Sequence, residues 1–222
     1  MQGIVLVDKP SGWTSFDVVN FVRRRVAAQQ GTKPKNTKVG HTGTLDPLAT
    51  GLLVLLVGKE YTRQAAEFNK KDKVYEVVAH LGSTSTTGDA EGELTAVSDI
   101  IPSRDEVEAA LQKFTGTAEQ MPPAFSAKKV NGVRAYKLAR SGQPVELKPI
   151  KVQLYDNILT SFEYPELRFT SHVSSGTYIR SLVEDLGKEL GTGAYMSGLR
   201  RTKVGDFDIV DAVLPDDFVA KA

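Results

Sequence analysis

The sequence predicts an α+β domain, with a mixed, largely antiparallel sheet flanked by helices and loops. An unbroken apolar run, Leu52 to Val57, predicts a strand buried on both faces. Alternation from Lys73 to Leu81 predicts a strand with one buried face. An apolar stripe from Thr177 to Leu190, followed by Gly191, predicts an amphipathic helix. At 222 residues, the chain is long enough for one large domain, which is expected to span residues 1–222.

The N-terminal half supplies a strand, a helix and a loop before the buried strand. The apolar run from Ile4 to Val7 predicts a strand that ends at a Lys-Pro-Ser-Gly turn. Thr14 and Asp17 have the spacing of a capping box, so a helix is expected to follow. The polar, basic stretch from Gln29 to Lys38 predicts a loop.

The C-terminal half is expected to alternate helices with strands around one irregular segment. Ser103 and Glu106 predict a second capping box, for a helix that Gly116 stops. Residues 121–149 are basic and rich in Pro and Gly, which predicts an excursion holding at most one short helix near Tyr136 to Arg140. Strands are expected at three further places, Val152 to Phe162, Leu167 to Val173, and Thr202 to Phe207.

Composition excludes several kinds of site. The chain has no cysteine, so disulfides, thiolate metal sites and cysteine nucleophiles are excluded. With three scattered histidines, no structural zinc site is expected. No apolar run approaches the about 18 residues of a membrane helix, and no charged leader precedes Ile4. A soluble, cytoplasmic protein is the expectation.

The net charge of +1 conceals segregated blocks of charge. No acidic residue lies between Val18 and Leu45, where six basic residues occur, and between Met121 and Lys151 only Glu146 is acidic. Two basic blocks opposed by acidic ones predict a surface for a polyanion. A solvated face that binds nothing remains the alternative.

The segment from Val39 to Gly51 is the strongest candidate for a functional loop. Its three glycines and one proline argue against regular structure, yet it leads directly into the buried strand. Asp46 lies between Leu45 and Pro47, and the proline restricts its backbone to an extended conformation. By itself, an Asp-Pro pair could equally form only a turn.

The chain resembles the TruB-type tRNA pseudouridine synthases in motifs spread over nearly its whole length. The shared motifs, in order, are Val7-Asp8-Lys9-Pro10, His41-Thr42, Gly43-Thr44-Leu45-Asp46-Pro47-Leu48-Ala49-Thr50-Gly51, Lys73-Val74-Tyr75, Gly88-Asp89-Ala90-Glu91-Gly92, Ser126-Ala127-Lys128, Ser175-Gly176-Thr177-Tyr178-Ile179-Arg180-Ser181-Leu182 and Gly198-Leu199-Arg200-Arg201.

The resemblance implies the pseudouridine synthase fold and isomerisation of uridine 55 in the T-loop of tRNA, without cofactor or metal. It makes Asp46 the nucleophile, Arg180 the cation that favours its ionised form, and Tyr75 the ring that stacks on the flipped base. Without the resemblance, Arg180 would form a surface ion pair with Glu184, and Tyr75 would be a core residue.

Five further residues match substrate-binding positions. His41 matches a histidine that inserts into the T-loop, although it could also be a loop histidine bonded to backbone. Asp89 matches an aspartate near the site, in a turn that would otherwise be a surface loop. Lys9 and Leu199 match positions that shape the pocket, and Lys128 falls in the segment that matches the family's RNA-closing thumb, residues 121–149.

The resemblance leaves other possibilities open. The family usually continues into a PUA module, which is not expected in this chain, so contacts to the acceptor end of tRNA are expected to be missing. The alternatives are a pseudouridine synthase for another RNA, and an RNA-binding or RNA-refolding module without catalysis. The expected partner is the T-arm of tRNA, with no membrane, no obligate protein partner and a monomeric state.

Overall fold

The computed structural model describes residues 1–126, 128–130 and 132–220. Ala127, from the Ser126-Ala127-Lys128 motif, therefore lies outside the described residues, as do the last two residues of the predicted domain. The strands are β1 (Gly3–Lys9), β2 (Val39–Thr42), β3 (Thr50–Val57), β4 (Lys73–Leu81), β5 (Ser83–Ser85), β6 (Leu94–Ala96), β7 (Gly116–Gln120), β8 (Lys129–Val130), β9 (Val133–Arg134), β10 (Ile150–Glu163), β11 (Glu166–Val173), β12 (Ala194–Val204) and β13 (Phe207–Asp208). The helices are α1 (Ser15–Gln29), α2 (Lys59–Arg63), α3 (Ala65–Asn69), α4 (Arg104–Lys113), α5 (Ala135–Arg140) and α6 (Ile179–Glu189), with short 3₁₀ turns at Pro34–Asn36 and Ile209–Asp211.

The chain folds into two compact units. The first contains Met1–Glu76 and the chain from Leu199 onward, and the second contains Val77–Gly198. The chain passes from the first unit to the second within β4 and returns within β12.

The first unit is built around β3. This strand pairs antiparallel with β1 and β2, and parallel with β12, where Arg200 is opposite Thr50. One face of β3 packs through Leu53 and Leu55 on valines of β1 and α1, and the other face packs through Leu52 and Val54 on Val204. The prediction that this strand is buried on both faces is confirmed.

The second unit contains the antiparallel strands β7, β10 and β11 with the helices α4 and α6. Residues 150–154 of β10 pair with β7, and residues 154–163 pair with β11, so Leu154 is paired on both sides. Helix α4 contacts both β10 and α6. In the first unit, the antiparallel pairs of β3 with β1 and β2, together with its parallel pair with β12, make a mixed sheet, so the α+β prediction is confirmed.

Local signals located most helix starts correctly. Thr14 with Asp17, and Ser103 with Glu106, form complete capping boxes at the starts of α1 and α4. Helix α6 begins two residues after the predicted Thr177. The short helix in residues 121–149 is α5, and the small hairpin of β8 and β9 precedes it.

Several expectations were wrong where pairing overrides local preference. Val39–Thr42 forms β2 on the edge of β3, although its motif argued against regular structure. Gly116 does not stop α4, which ends at Lys113; it begins β7. The strand predicted from Thr202 to Phe207 is instead the end of β12, a turn, and β13. Because β12 carries basic residues and buries one of them, Arg201, its apolar periodicity is too weak to predict it.

Candidate active site

The loop that contains Asp46 is held at both of its sides by residues of the N-terminal segment. On one side, the backbone N–H of Leu45 donates to Ser15 Oγ (2.8 Å), and this hydroxyl donates to Leu45 O (3.0 Å). On the other side, Pro47 O accepts from Lys9 Nζ (3.3 Å) and from the backbone N–H of Gly12 (2.9 Å). The backbone carbonyl of Asp46 closes a turn by accepting from the N–H of Ala49 (3.1 Å).

Lys9 is a fully buried lysine that organises this region. Its ammonium also donates to Trp13 O (2.6 Å) and Pro10 O (2.9 Å). A buried charge is costly unless several hydrogen bonds satisfy it, and these carbonyls do so. Lys9 therefore links the backbone of the N-terminal turn, at Pro10, to the backbone of the Asp46 loop, at Pro47.

Arg201 fixes the start of the same loop, and sequence reasoning assigned it no role. Its guanidinium donates to Leu52 O (2.8 Å) on β3 and to Gly43 O (3.0 Å) at the beginning of the loop. The side chain is 1% exposed. Nearby, Gly51 has φ +101°, and a Cβ there would lie 2.3 Å from Arg201 O, so only glycine fits where β3 and β12 meet. The sequence signal for Arg201 was its place in the Gly198-Leu199-Arg200-Arg201 motif.

Lys73 is a second buried cation next to Arg201. Its ammonium donates to Asn69 O (2.8 Å) and to Lys71 O. Burial, followed by the neighbouring Arg201 charge, lowers the pKa of Lys73 from its usual 10.5 to about 8. Lys73 belongs to the Lys73-Val74-Tyr75 motif, which predicted no role for its side chain.

Two of the other candidates of the first unit, His41 and Leu199, lie on strands that pair with β3. His41 is half-buried on β2, paired with Leu55. Leu199 is half-buried on β12, and its carbonyl accepts from Thr50 Oγ1 (3.4 Å). Tyr75 is 8% exposed on the buried face of β4. Asp46 is half-buried.

The candidates of the second unit, Arg180 and Asp89, contact each other. Arg180 donates to Thr87 O (3.1 Å) and Phe125 O (2.9 Å), and its guanidinium lies 3.5 Å from the Asp89 carboxylate. Both side chains are buried, so Arg180 is not a surface residue and Asp89 is not in an exposed loop. The Asp89 carboxylate also accepts from Thr87 Oγ1 (2.6 Å) and from the N–H of Glu91 (3.1 Å). These bonds fix the guanidinium before any substrate arrives.

Lys128 lies in the basic segment, residues 121–149, and is half-buried. Its carbonyl accepts from the N–H of Ala135 at the start of α5 (2.7 Å). Lys129, Arg134 and Lys137 are exposed. The segment thus presents cations on a framework of one short helix and one small hairpin.

Neither a membrane-spanning helix nor a metal-binding cluster is found among the described residues. None of their helices is long and apolar enough to cross a bilayer. The same residues contain no group of three or more histidine, aspartate or glutamate side chains placed to hold a metal ion.

Comparison with known proteins gives the same family over nearly the whole chain. Residues 29–179 match the family model described as "TruB family pseudouridylate synthase (N terminal domain)", and residues 180–221 match "tRNA pseudouridylate synthase B C-terminal domain". The chain is 44% identical to the tRNA pseudouridine synthase B of Protochlamydia amoebophila, covering 93% of this chain and 76% of that protein. It is 43% identical to the protein of that name from Chlamydia abortus, covering 97% and 89%.

Solved structures share the fold at lower identity. A chain in the crystal structure of a Cbf5-Nop10-Gar1 complex superimposes with a TM-score of 0.73 at 27% identity, covering 97% of this chain. A chain in an H/ACA RNP bound to a substrate RNA containing 2′-deoxyuridine gives 0.69 at 25% identity, also covering 97% of this chain. This chain spans about half of each, 53% and 51%.

Proposed function

The chain belongs to the TruB family of pseudouridylate synthases, and from this premise we propose that it isomerises uridine 55 in the T-loop of tRNA, with Asp46 as nucleophile. Its relatives make it a tRNA pseudouridine synthase. The position in tRNA and the role of the aspartate are the substance of the proposal.

The observation that carries the proposal is the double anchoring of the Asp46 loop. Ser15 holds Leu45, and Lys9 holds Pro47, so the backbone is fixed on both sides of one carboxylate. A turn that served only to reverse the chain would not need a buried ammonium beneath it. Catalytic groups, in contrast, must be held within about 0.5 Å of their productive position.

The chemistry requires one nucleophile and no co-reactant. The N1–C1′ bond of uridine breaks, a C5–C1′ bond forms, C5 loses a proton and N1 gains one, so the product is an isomer. A carboxylate that forms a covalent adduct with the nucleotide divides this exchange into easier steps. In this proposal Asp46 supplies that carboxylate.

Tyr75 and Arg180 complete the proposed catalytic set. The Tyr75 ring stacks on the extruded base, and such stacking is worth about 1–3 kcal/mol, comparable to the cost of flipping a nucleotide. Arg180 is proposed as the cation that favours the ionised form of Asp46. The Asp89 carboxylate, 3.5 Å away, holds its guanidinium in place. Asp89, His41, Lys9, Leu199 and Lys128 are proposed to bind or position the T-arm.

Incubation of unmodified tRNA with the purified protein, followed by mapping of pseudouridine, tests the proposal. The wild-type chain is expected to modify position 55. Asp46→Asn, which is nearly isosteric but a poor nucleophile, is expected to form none while binding tRNA within a few fold of wild type. Asp99→Asn, at an exposed aspartate of the second unit, is the matched control.

Each other outcome points to a specific alternative. Substantial turnover by Asp46→Asn would refute the nucleophile assignment. Pseudouridine only in another RNA would favour a different substrate. Tight tRNA binding with no product from the wild-type chain would favour an RNA-binding module.

A further inference from the structure

A basic cleft lies in the first unit, formed by residues to which no role in catalysis is assigned. The cleft has a volume of about 500 Å³ and lies between α1 and the segment from Pro34 to Val39. Of the described residues that line it, four are cationic (Arg23, Arg24, Lys35 and Lys38) and none is acidic.

Local structure explains why these cations share one cleft. Asn20, Arg23 and Arg24 are three and four positions apart on α1, so their side chains leave the helix on the same side. The 3₁₀ turn Pro34–Asn36 brings Lys35 and Lys38 to the opposite wall.

Arg23 is preorganised without being neutralised. Its guanidinium donates to Asn20 Oδ1 (2.7 Å) and to Val39 O (3.1 Å). Both acceptors are neutral, so they fix the side chain and leave its positive charge uncompensated. A planar guanidinium held in this way is suited to a phosphate group.

The remaining cations are exposed and available to a ligand. Arg24, Lys35 and Lys38 are all exposed, and no salt bridge among the described residues involves them. The stretch from Val18 to Leu45 contains no acidic residue that could pair with them. The like charges repel one another, and an anion in the cleft would relieve that repulsion.

We propose that this cleft binds the phosphodiester backbone of the substrate RNA, as a phosphate site additional to the basic segment of residues 121–149. The inference rests on the proposed function for its ligand. An RNA backbone fits better than a small anion, because the cations line an open cleft and three of them are exposed side chains. Such contacts position an RNA without reading its sequence.

The test is the salt dependence of tRNA binding in the full chain, measured without turnover. The cleft variant is Arg24→Gln with Lys38→Gln, and the matched control is Arg25→Gln with Lys33→Gln. The control removes the same charge from the same block, at residues outside the cleft. Each phosphate contact contributes about 0.7 to 0.9 to the slope of log affinity against log salt. The cleft variant is therefore expected to lower the slope by about 1.4 to 1.8, and the control by clearly less.

A slope equal to that of the wild type in the cleft variant would overturn the proposal, as would an equal loss in both variants. Footprinting of phosphates on bound tRNA gives a second measurement. Loss of protection at a few backbone positions in the cleft variant alone is expected, and an unchanged footprint would also overturn the proposal. Because these measurements record binding only, a failure of pseudouridine formation would be recognised separately.

Discussion

Replacing Lys73 by methionine should change how stability depends on pH. The pKa of Lys73 is lowered from 10.5 to about 8, first by burial and then by Arg201. Between these two values the unfolded chain keeps the proton and the folded chain releases it. Stability from this group therefore rises as pH increases through the window from about 8 to 10.5, and is constant below it.

The magnitude follows from the size of the shift. One pKa unit corresponds to about 1.4 kcal/mol, so the shift from 10.5 to about 8 sets an upper limit between about 3 and 4 kcal/mol on the change across the window. The side chain is 6% exposed, so solvent screens the effect only weakly. Lys73→Met keeps most of the apolar stem and removes the titration.

The assay is urea unfolding followed by circular dichroism at several pH values between 7 and 10.5, for wild type and Lys73→Met. The stability of the wild type minus that of the variant should increase with pH, by no more than the limit above. Arg201→Met should narrow the window, since it removes the second cause of the shift. A flat difference would mean that the buried ammonium keeps its usual pKa, and a difference that falls with pH would mean that its pKa is raised; either result would refute the reasoning.

Three other outcomes are expected. Gly51→Ala should lower the free energy of unfolding by about 3 kcal/mol or more, because its Cβ would clash with Arg201 O. Gly12→Ala, at a glycine with open space around it, should lower it by about 1 kcal/mol, and thermal unfolding measures both variants. Arg180→Met should greatly slow single-turnover pseudouridine formation, and unchanged kinetics would make the residue merely structural. Replacing Lys128, Lys129 and Arg134 of the 121–149 segment with alanine should flatten the salt dependence of tRNA binding. An unaltered slope would locate the RNA surface elsewhere.

Elements with local signals could be predicted from the sequence. The capping boxes at Thr14 and Ser103 are complete within four residues, so no distant contact is needed to form them. The buried strand β3 is continuously apolar because both of its faces meet other apolar side chains. Periodicity records burial of this kind directly.

Strand β12 and the supports of the Asp46 loop could not be predicted in the same way. Arg201 and Lys9 are fully buried, which is the opposite of what their charge suggests, because backbone carbonyls from distant parts of the chain satisfy them. The motifs identified the segments that contain these cations, but only the structure shows the carbonyls to which they donate. The contact between Arg180 and Asp89 is likewise long-range, and nothing in either local sequence specifies it.

The anchoring of the Asp46 loop has a consequence for how the protein opens. The loop is bonded to the N-terminal segment through Leu45 N–H and Pro47 O, and that segment is bonded in turn to Val213 O through the N–H of Asp8 (2.9 Å). Groups tied in this way exchange their amide hydrogens together, as one cooperative unit. The amide of Leu45 should therefore exchange no faster than that of Asp8. A substitution that disrupts the first strand would then also loosen the Asp46 loop, 38 positions later in the chain.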